Sequence, residues 1–144
     1  DLYQELILDH TRKPRNFGPL DTANRQAEGF NPLCGDRVTV TLHLEAGRVC
    51  DIHFEGSGCA ISTASASLMT EAVKGKAVAE VEALFKRVHG LLTGQPESQG
   101  TDLGKLVALG GVREFPMRVK CATLPWHTLA GALDDNPASL ITTE

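Results

Sequence analysis

The fold is indicated by the stretch from residue 37 to residue 55, which reads RVTVTLHLEAGRVCDIHFE. Its first half alternates apolar and polar side chains with a period of two, the pattern of a half-buried β-strand. A turn at Ala46-Gly47 follows, and the second half alternates again, with Cys50, Ile52 and Phe54 on one face. The stretch predicts a β-hairpin, and we expect Cys50 in its buried face.

Helical periodicity dominates the flanking sequence. Helices are predicted over residues 2–10, 61–74 and 78–92, in a short segment from 101 or 102, and from Thr123 onward, with Pro125 near the start of that last helix. A short edge strand ending at Pro32 precedes the hairpin. The pattern is α+β, a small antiparallel β-sheet of about three strands packed with four to six helices. We expect a single domain over residues 1–144, with a frayed tail at residues 134–144.

Composition narrows the class of function. The chain has 144 residues and a net charge of −4, so there is no basic surplus that would favour nucleic acid or an anionic membrane. No apolar run approaches the roughly 20 residues that span a bilayer. The first residues resemble an amphipathic helix and not a signal peptide, which favours a cytoplasmic protein.

Four cysteines stand at positions 34, 50, 59 and 121, and none forms a C-x-x-C pair. In a cytoplasmic chain, cysteines indicate metal or thiol chemistry more than disulfides. Cys34 and Asp36 are two residues apart, so in an extended segment they point the same way. Cys59 is expected at the start of a helix, and Cys121 follows Lys120 in the connection before the last helix. Both surroundings favour a thiolate.

Cys34, Asp36, Cys59 and Cys121 together make four ligands, the number that zinc prefers in a tetrahedral site. Thiolates also suit iron–sulfur clusters. Spacing alone leaves two interpretations open, a shared metal site and three separately buried cysteines. His43 and His53 lie on the polar faces of the predicted hairpin, where solvated side chains are the usual case.

Three motifs favour a shared metal site over separately buried cysteines. They are residues 31–37 around Cys34, residues 56–67 around Cys59, and residues 118–126 around Cys121. Together they resemble the iron–sulfur cluster assembly scaffold family, the IscU and NifU N-terminal proteins. Residues 6–16 are similar to the opening of that family, and the resemblance runs from about Leu2 to Leu133. It implies a SufE/NifU-like fold.

Within that family the chain resembles the SufU branch, because a segment at residues 95–115 precedes the third cysteine and Lys120 stands directly before it. The resemblance implies a zinc ion held by Cys34, Asp36, Cys59 and Cys121. It also implies acceptance of persulfide sulfur from a SufS-like cysteine desulfurase, for delivery to the downstream iron–sulfur assembly machinery.

Three functions remain open at this point. The chain is a zinc-bearing sulfur acceptor, a scaffold that assembles a [2Fe–2S] cluster on Cys34, Cys59 and Cys121, or a structural zinc module that recruits partners. Whether the chain is an enzyme, a zinc-dependent sulfurtransferase, also stays open. For sulfur transfer, Cys34 is the expected acceptor and Cys121 its rival, because Cys34 lies in a loop between Pro32 and Gly35.

Overall fold

The computed structural model describes residues 2–32, 35–93, 104–112, 115–133 and 140–142. Its sheet contains β1 (Arg25–Asn31), β2 (Asp36–Glu45), β3 (Arg48–Ser57) and the short β4 (Leu140–Thr142), in the order β3-β2-β1-β4. The first three strands are antiparallel, as predicted, and β4 is parallel to β1. The expectation that the whole tail frays is wrong at residues 140–142, and β1 has a neighbour on each side. An unpaired strand edge offers hydrogen bonds to any segment of β-forming residues, and β4 uses this one.

Cys50 does not lie in the core, which corrects the expectation from strand alternation. His43 pairs with Asp51 but Leu44 pairs with Val49, so Cys50 is an extra residue in a β-bulge. The bulge shifts the alternation by one position. Val49 is therefore fully buried, whereas Cys50 is exposed.

The helices within the described residues are α1 (Leu2–Arg12), α2 (Ala60–Val73), α3 (Val78–Thr93) and α4 (Pro116–Leu133), with a 3₁₀ helix at Gly104–Val112. The predicted start of the last helix at Thr123 is wrong, because α4 begins seven residues earlier. Pro116 occupies the first helical position, where a missing N–H costs nothing, and Pro125 lies in the helix interior. None of the described helices is both long and apolar enough to cross a membrane.

Helix α4 lies against the sheet because residue 29 of β1 is glycine. A Cβ at this position would overlap the hydroxyl oxygen of Thr128 and come within 3.0 Å of Leu124 Cδ1. The Thr128 hydroxyl in turn donates to the carbonyl of Leu124, at 2.7 Å. This close approach brings the first half of α4 towards the start of β2.

A buried histidine joins α1 to α2. His10 is fully buried, and its Nδ1 lies 2.7 Å from the Ser67 hydroxyl, which also accepts the Arg15 N–H. Its Nε2 lies 3.5 Å from a carboxylate oxygen of Glu71. Burial lowers the pKa of His10 below its ordinary 6.5, and Arg15 lowers it further, while Glu71 and Asp9 oppose the change. The imidazole is therefore neutral at neutral pH.

Acid should destabilise the metal-free protein through this residue. The unfolded chain binds a proton near pH 6.5 while folded His10 resists it, so stability is retained above that pH and lost as the pH falls toward the folded pKa. One such group contributes at most about 1.4 kcal/mol per pH unit. Urea unfolding at several pH values measures the slope, which His10→Gln should flatten. An unchanged slope would contradict the assignment to His10. His127 should supply part of what remains, because burial and His89 lower its pKa too.

Candidate metal centre

Asp36 begins β2 and is only 1% exposed. A buried carboxylate is costly unless its oxygens have partners. Oδ1 accepts the backbone N–H of Cys59 at 2.8 Å, and Oδ2 lies 3.6 Å from Cys59 Sγ. Gly58 permits this approach, because a Cβ there would lie 2.8 Å from Oδ1. One oxygen of Asp36 thus holds the chain before α2, and the other faces a thiol.

Cys59 is the N-cap of α2, which confirms its predicted position at the start of a helix. Its backbone is extended (φ −72°, ψ 169°), and its Sγ accepts the N–H of Ser62 at 3.4 Å. The N-terminus of α2 thus directs a backbone N–H at this sulfur. Cys59 is also exposed, so it gives the site an opening to solvent.

Cys121 approaches the same point from inside α4 and not from a connection, which corrects the sequence expectation. It is 2% exposed. The ligand atoms of Asp36, Cys59 and Cys121 all lie within 4.8 Å of one another. Among the residues that the structure describes, no other cluster of three or more histidine, cysteine or acidic side chains has a metal-binding arrangement.

The donor set fits zinc. In a tetrahedral site, thiolates at about 2.3 Å from the ion stand roughly 3.8 Å apart, which is compatible with the spacing here. Two sulfur ligands and one carboxylate leave one position for a fourth ligand or an incoming group. Thiolates also bind iron–sulfur clusters, so these ligand types are compatible with either a zinc ion or a cluster.

Cys34, the fourth predicted ligand, lies outside the described residues, and its part in the site stays a prediction. The described residues beside it are informative. Gly35 has a positive φ of 74° and donates its N–H to the Asn31 carbonyl at 2.8 Å. Asn31 pairs with Asp36 across the two strands. Asn31 and Gly35, which lie on either side of residues 32–34 in the sequence, are thus held together at the end of β2 where Asp36 lies.

The cationic neighbours of the ligands differ in what they contact. Arg37 pairs with Glu28 at 2.6 Å and lies 5.0 Å from the centre of the Phe30 ring. Strand alternation directs it away from Asp36, so it is not placed to offset the charge of a metal site. Lys120 is half-buried directly before Cys121.

The sequence did not reveal the contacts that assemble the ligands. The hydrogen bond from the Cys59 N–H to Asp36 joins residues 23 positions apart. Gly58 in the Gly56-Ser57-Gly58-Cys59 motif was the available signal, because a glycine before a ligand permits close approach of another segment.

Comparison with known proteins places this geometry in a family. The chain matches the model of the NifU-like N-terminal domain over residues 2–122. The chain belongs to this family. A second observation agrees with it: the structure superposes on the crystal structure of FiSufU from Fervidobacterium islandicum AW-1 with a TM-score of 0.81 and 35% identity, covering 90% of this chain and 94% of that one.

Two curated relatives of this NifU-like N-terminal domain carry functional names. The chain is 44% identical over 128 residues to the zinc-dependent sulfurtransferase SufU of Bacillus subtilis (strain 168), covering 89% of this chain and 86% of the relative. It is 39% identical over 132 residues to the iron–sulfur cluster assembly scaffold protein IscU of Streptococcus pyogenes serotype M1, covering 92% and 82%. The predicted family and α+β fold are both confirmed.

Proposed function

We propose that the chain is a zinc-bearing acceptor of persulfide sulfur, which takes the sulfur from a SufS-like cysteine desulfurase and passes it toward iron–sulfur cluster assembly. The observation that carries the proposal is the meeting of Asp36, Cys59 and Cys121 within 4.8 Å. Similarity to a relative named as a zinc-dependent sulfurtransferase supports zinc in this position.

Cys34 completes the proposed ligand set. It stands two residues before Asp36 in the chain, and its neighbour Gly35 is tied to Asn31. A zinc ion with three protein ligands has room for one more. When bound, zinc keeps its cysteine ligands deprotonated at neutral pH.

Cys34 is also the proposed sulfur acceptor. Its thiolate attacks the terminal sulfur of the donor's cysteine persulfide. A sulfur–sulfur bond forms on Cys34 Sγ, the donor's sulfur–sulfur bond breaks, and the donor cysteine leaves as a thiolate. The transferred sulfur keeps its own proton, so atoms and charge balance.

The two described cysteines of the site are less suited to this step. Cys121 is 2% exposed inside α4, so an incoming persulfide would have to displace the helix to reach it. Cys59 is exposed, but as the N-cap of α2 its sulfur accepts the Ser62 N–H, and a swing would break that bond. These arguments support Cys34 as the sulfur acceptor over Cys121 and Cys59.

Persulfide should therefore form mainly on Cys34. The protein is incubated with a SufS-like desulfurase and cysteine, exposed thiols are alkylated, and peptide mass spectrometry locates the added sulfur. Cys34→Ala should lose the modification, whereas Cys50→Ala should retain it, because Cys50 is exposed but lies outside the ligand cluster. Modification mainly of Cys121 would overturn the assignment.

The second candidate function is a scaffold that assembles a [2Fe–2S] cluster on the same cysteines. The similarity to a relative named as an IscU scaffold favours it, and the donors suit it. Metal and sulfide analysis of protein purified without oxygen separates the two. One zinc per chain with no acid-labile sulfide supports the acceptor, whereas iron and sulfide in equal amounts support the scaffold.

The setting of the proposed function follows from its chemistry. Reduced thiols persist in the cytoplasm, which we propose as the compartment. With a net charge of −4 there is no electrostatic basis for nucleic acid or anionic membrane as partners. A structural zinc module is the weakest alternative, because exposed Cys59 leaves the ligand group accessible from outside.

A further inference from the structure

A single buried hydroxyl connects α2 to α4 beside the ligand cluster. Ser65 Oγ donates to the backbone carbonyl of Ala122 at 2.6 Å and accepts the indole N–H of Trp126 at 3.2 Å. Ser65, Ala122 and Trp126 are all at most 1% exposed. Water cannot replace such a bond without entering the core, so loss of the hydroxyl would leave the indole N–H without its acceptor.

The Ser65 hydroxyl contacts α4 beside a position where a helical hydrogen bond is missing. Pro125 has no N–H, so the helical hydrogen bond that would join residue 125 to residue 121 cannot form. The two partners of Ser65 lie on either side of this interruption, Ala122 before it and Trp126 after it. Ser65 thus supports the helix from outside at the turn that carries Cys121.

The hydrogen bond from Ser65 to Ala122 links the two helices that carry Cys59 and Cys121. Ser65 is on the helix whose N-cap is Cys59, and Ala122 directly follows Cys121. We infer that Ser65 is a positioning residue, which fixes Cys121 relative to Cys59 before a metal binds. The inference rests on the proposed metal site for its functional meaning, but its structural content applies to the metal-free protein as well.

Ser67 provides a matched control on the same helix. It is also a fully buried serine, and its hydroxyl contacts His10 and the Arg15 N–H on the α1 side of the helix. Truncating either serine removes one buried hydroxyl from α2. Only Ser65 contacts α4 through an interaction that the structure shows.

The test compares Ser65→Ala with Ser67→Ala. In Ser65→Ala the zinc affinity, measured by competition with a chromophoric chelator, should fall about 10-fold or more, the usual effect of removing a residue that orients ligands. In Ser67→Ala it should stay within about threefold. The thiolate-to-cobalt absorption bands of the cobalt-substituted protein should shift only in Ser65→Ala. Equal zinc affinities and equal spectra in the two variants would overturn the inference.

A second readout needs no metal. In the metal-free protein, alkylation of the buried Cys121 thiol should be about tenfold faster in Ser65→Ala than in Ser67→Ala, because the supporting contact of its helix is gone. Equal rates would count against positioning. Should Ser65→Ala not fold, Trp126→Phe removes the indole N–H bond together with part of the buried ring and leaves the Ser65 bond to Ala122 in place, and both readouts should move in the same directions by smaller factors. A wild-type protein that binds no zinc would defeat the proposed function, while the alkylation rates would still decide the role of Ser65.

Discussion

Cys59→Ser should lower the zinc affinity by a factor on the order of 100, because one of the proposed thiolate ligands is lost. Serine is a favoured N-cap residue, so this variant keeps the start of α2 intact and removes only the metal ligand. Cys50→Ser is the matched control. Cys50 is exposed in the bulge and outside the cluster, so its replacement should leave zinc content unchanged.

Thermal unfolding with and without zinc measures the same loss. Binding to the folded state alone stabilises it by about 2.7 kcal/mol when free zinc is 100 times the dissociation constant. The wild type and Cys50→Ser should therefore gain stability on adding zinc, and Cys59→Ser should gain little. Retention of zinc by Cys59→Ser, or its loss from Cys50→Ser, would refute the ligand assignment.

Gly29→Ala should destabilise the protein by about 3 kcal/mol, at the upper end of what overpacking costs. The added Cβ would overlap the Thr128 hydroxyl where α4 rests on β1, so α4 must move away from the sheet. Because α4 carries Cys121, zinc affinity should fall together with the free energy of unfolding, which urea denaturation measures.

A double-mutant cycle isolates this contact. Thr128→Ala removes the overlapping oxygen, so the nearest atoms to the new methyl group would be Leu124 Cδ1 at 3.0 Å, the end of a flexible side chain, and the residue 128 Cβ at 3.3 Å. The double variant should therefore be more stable than the two single changes predict by addition, by about 1 kcal/mol or more. Strict additivity would show that the clash is relieved elsewhere and that α4 is not set by this contact.

The local elements could be predicted from the sequence because each depends on its own residues. The hairpin follows from period-two alternation, and α2 and α3 follow from helical spacing. The errors arose where a neighbouring segment decided the outcome. The bulge that exposes Cys50 depends on how β3 pairs with β2, and β4 depends on the open edge of β1.

Helix α4 shows a different limit. A proline near position 125 is read from sequence as a helix start, because proline is favoured there and disfavoured inside. The interior position is stable here because Ser65 and the sheet support the surrounding turns. For the site, the motifs identified Asp36, Cys59 and Cys121, but the hydrogen bond from Cys59 to Asp36 required the folded chain.

The three described residues of the proposed metal site differ in their exposure to solvent. Asp36 and Cys121 are closed off by the sheet and by α4, whereas Cys59 is open to solvent. Among the described residues of the cluster, Cys59 is therefore the one that an incoming chelator or partner group can contact first.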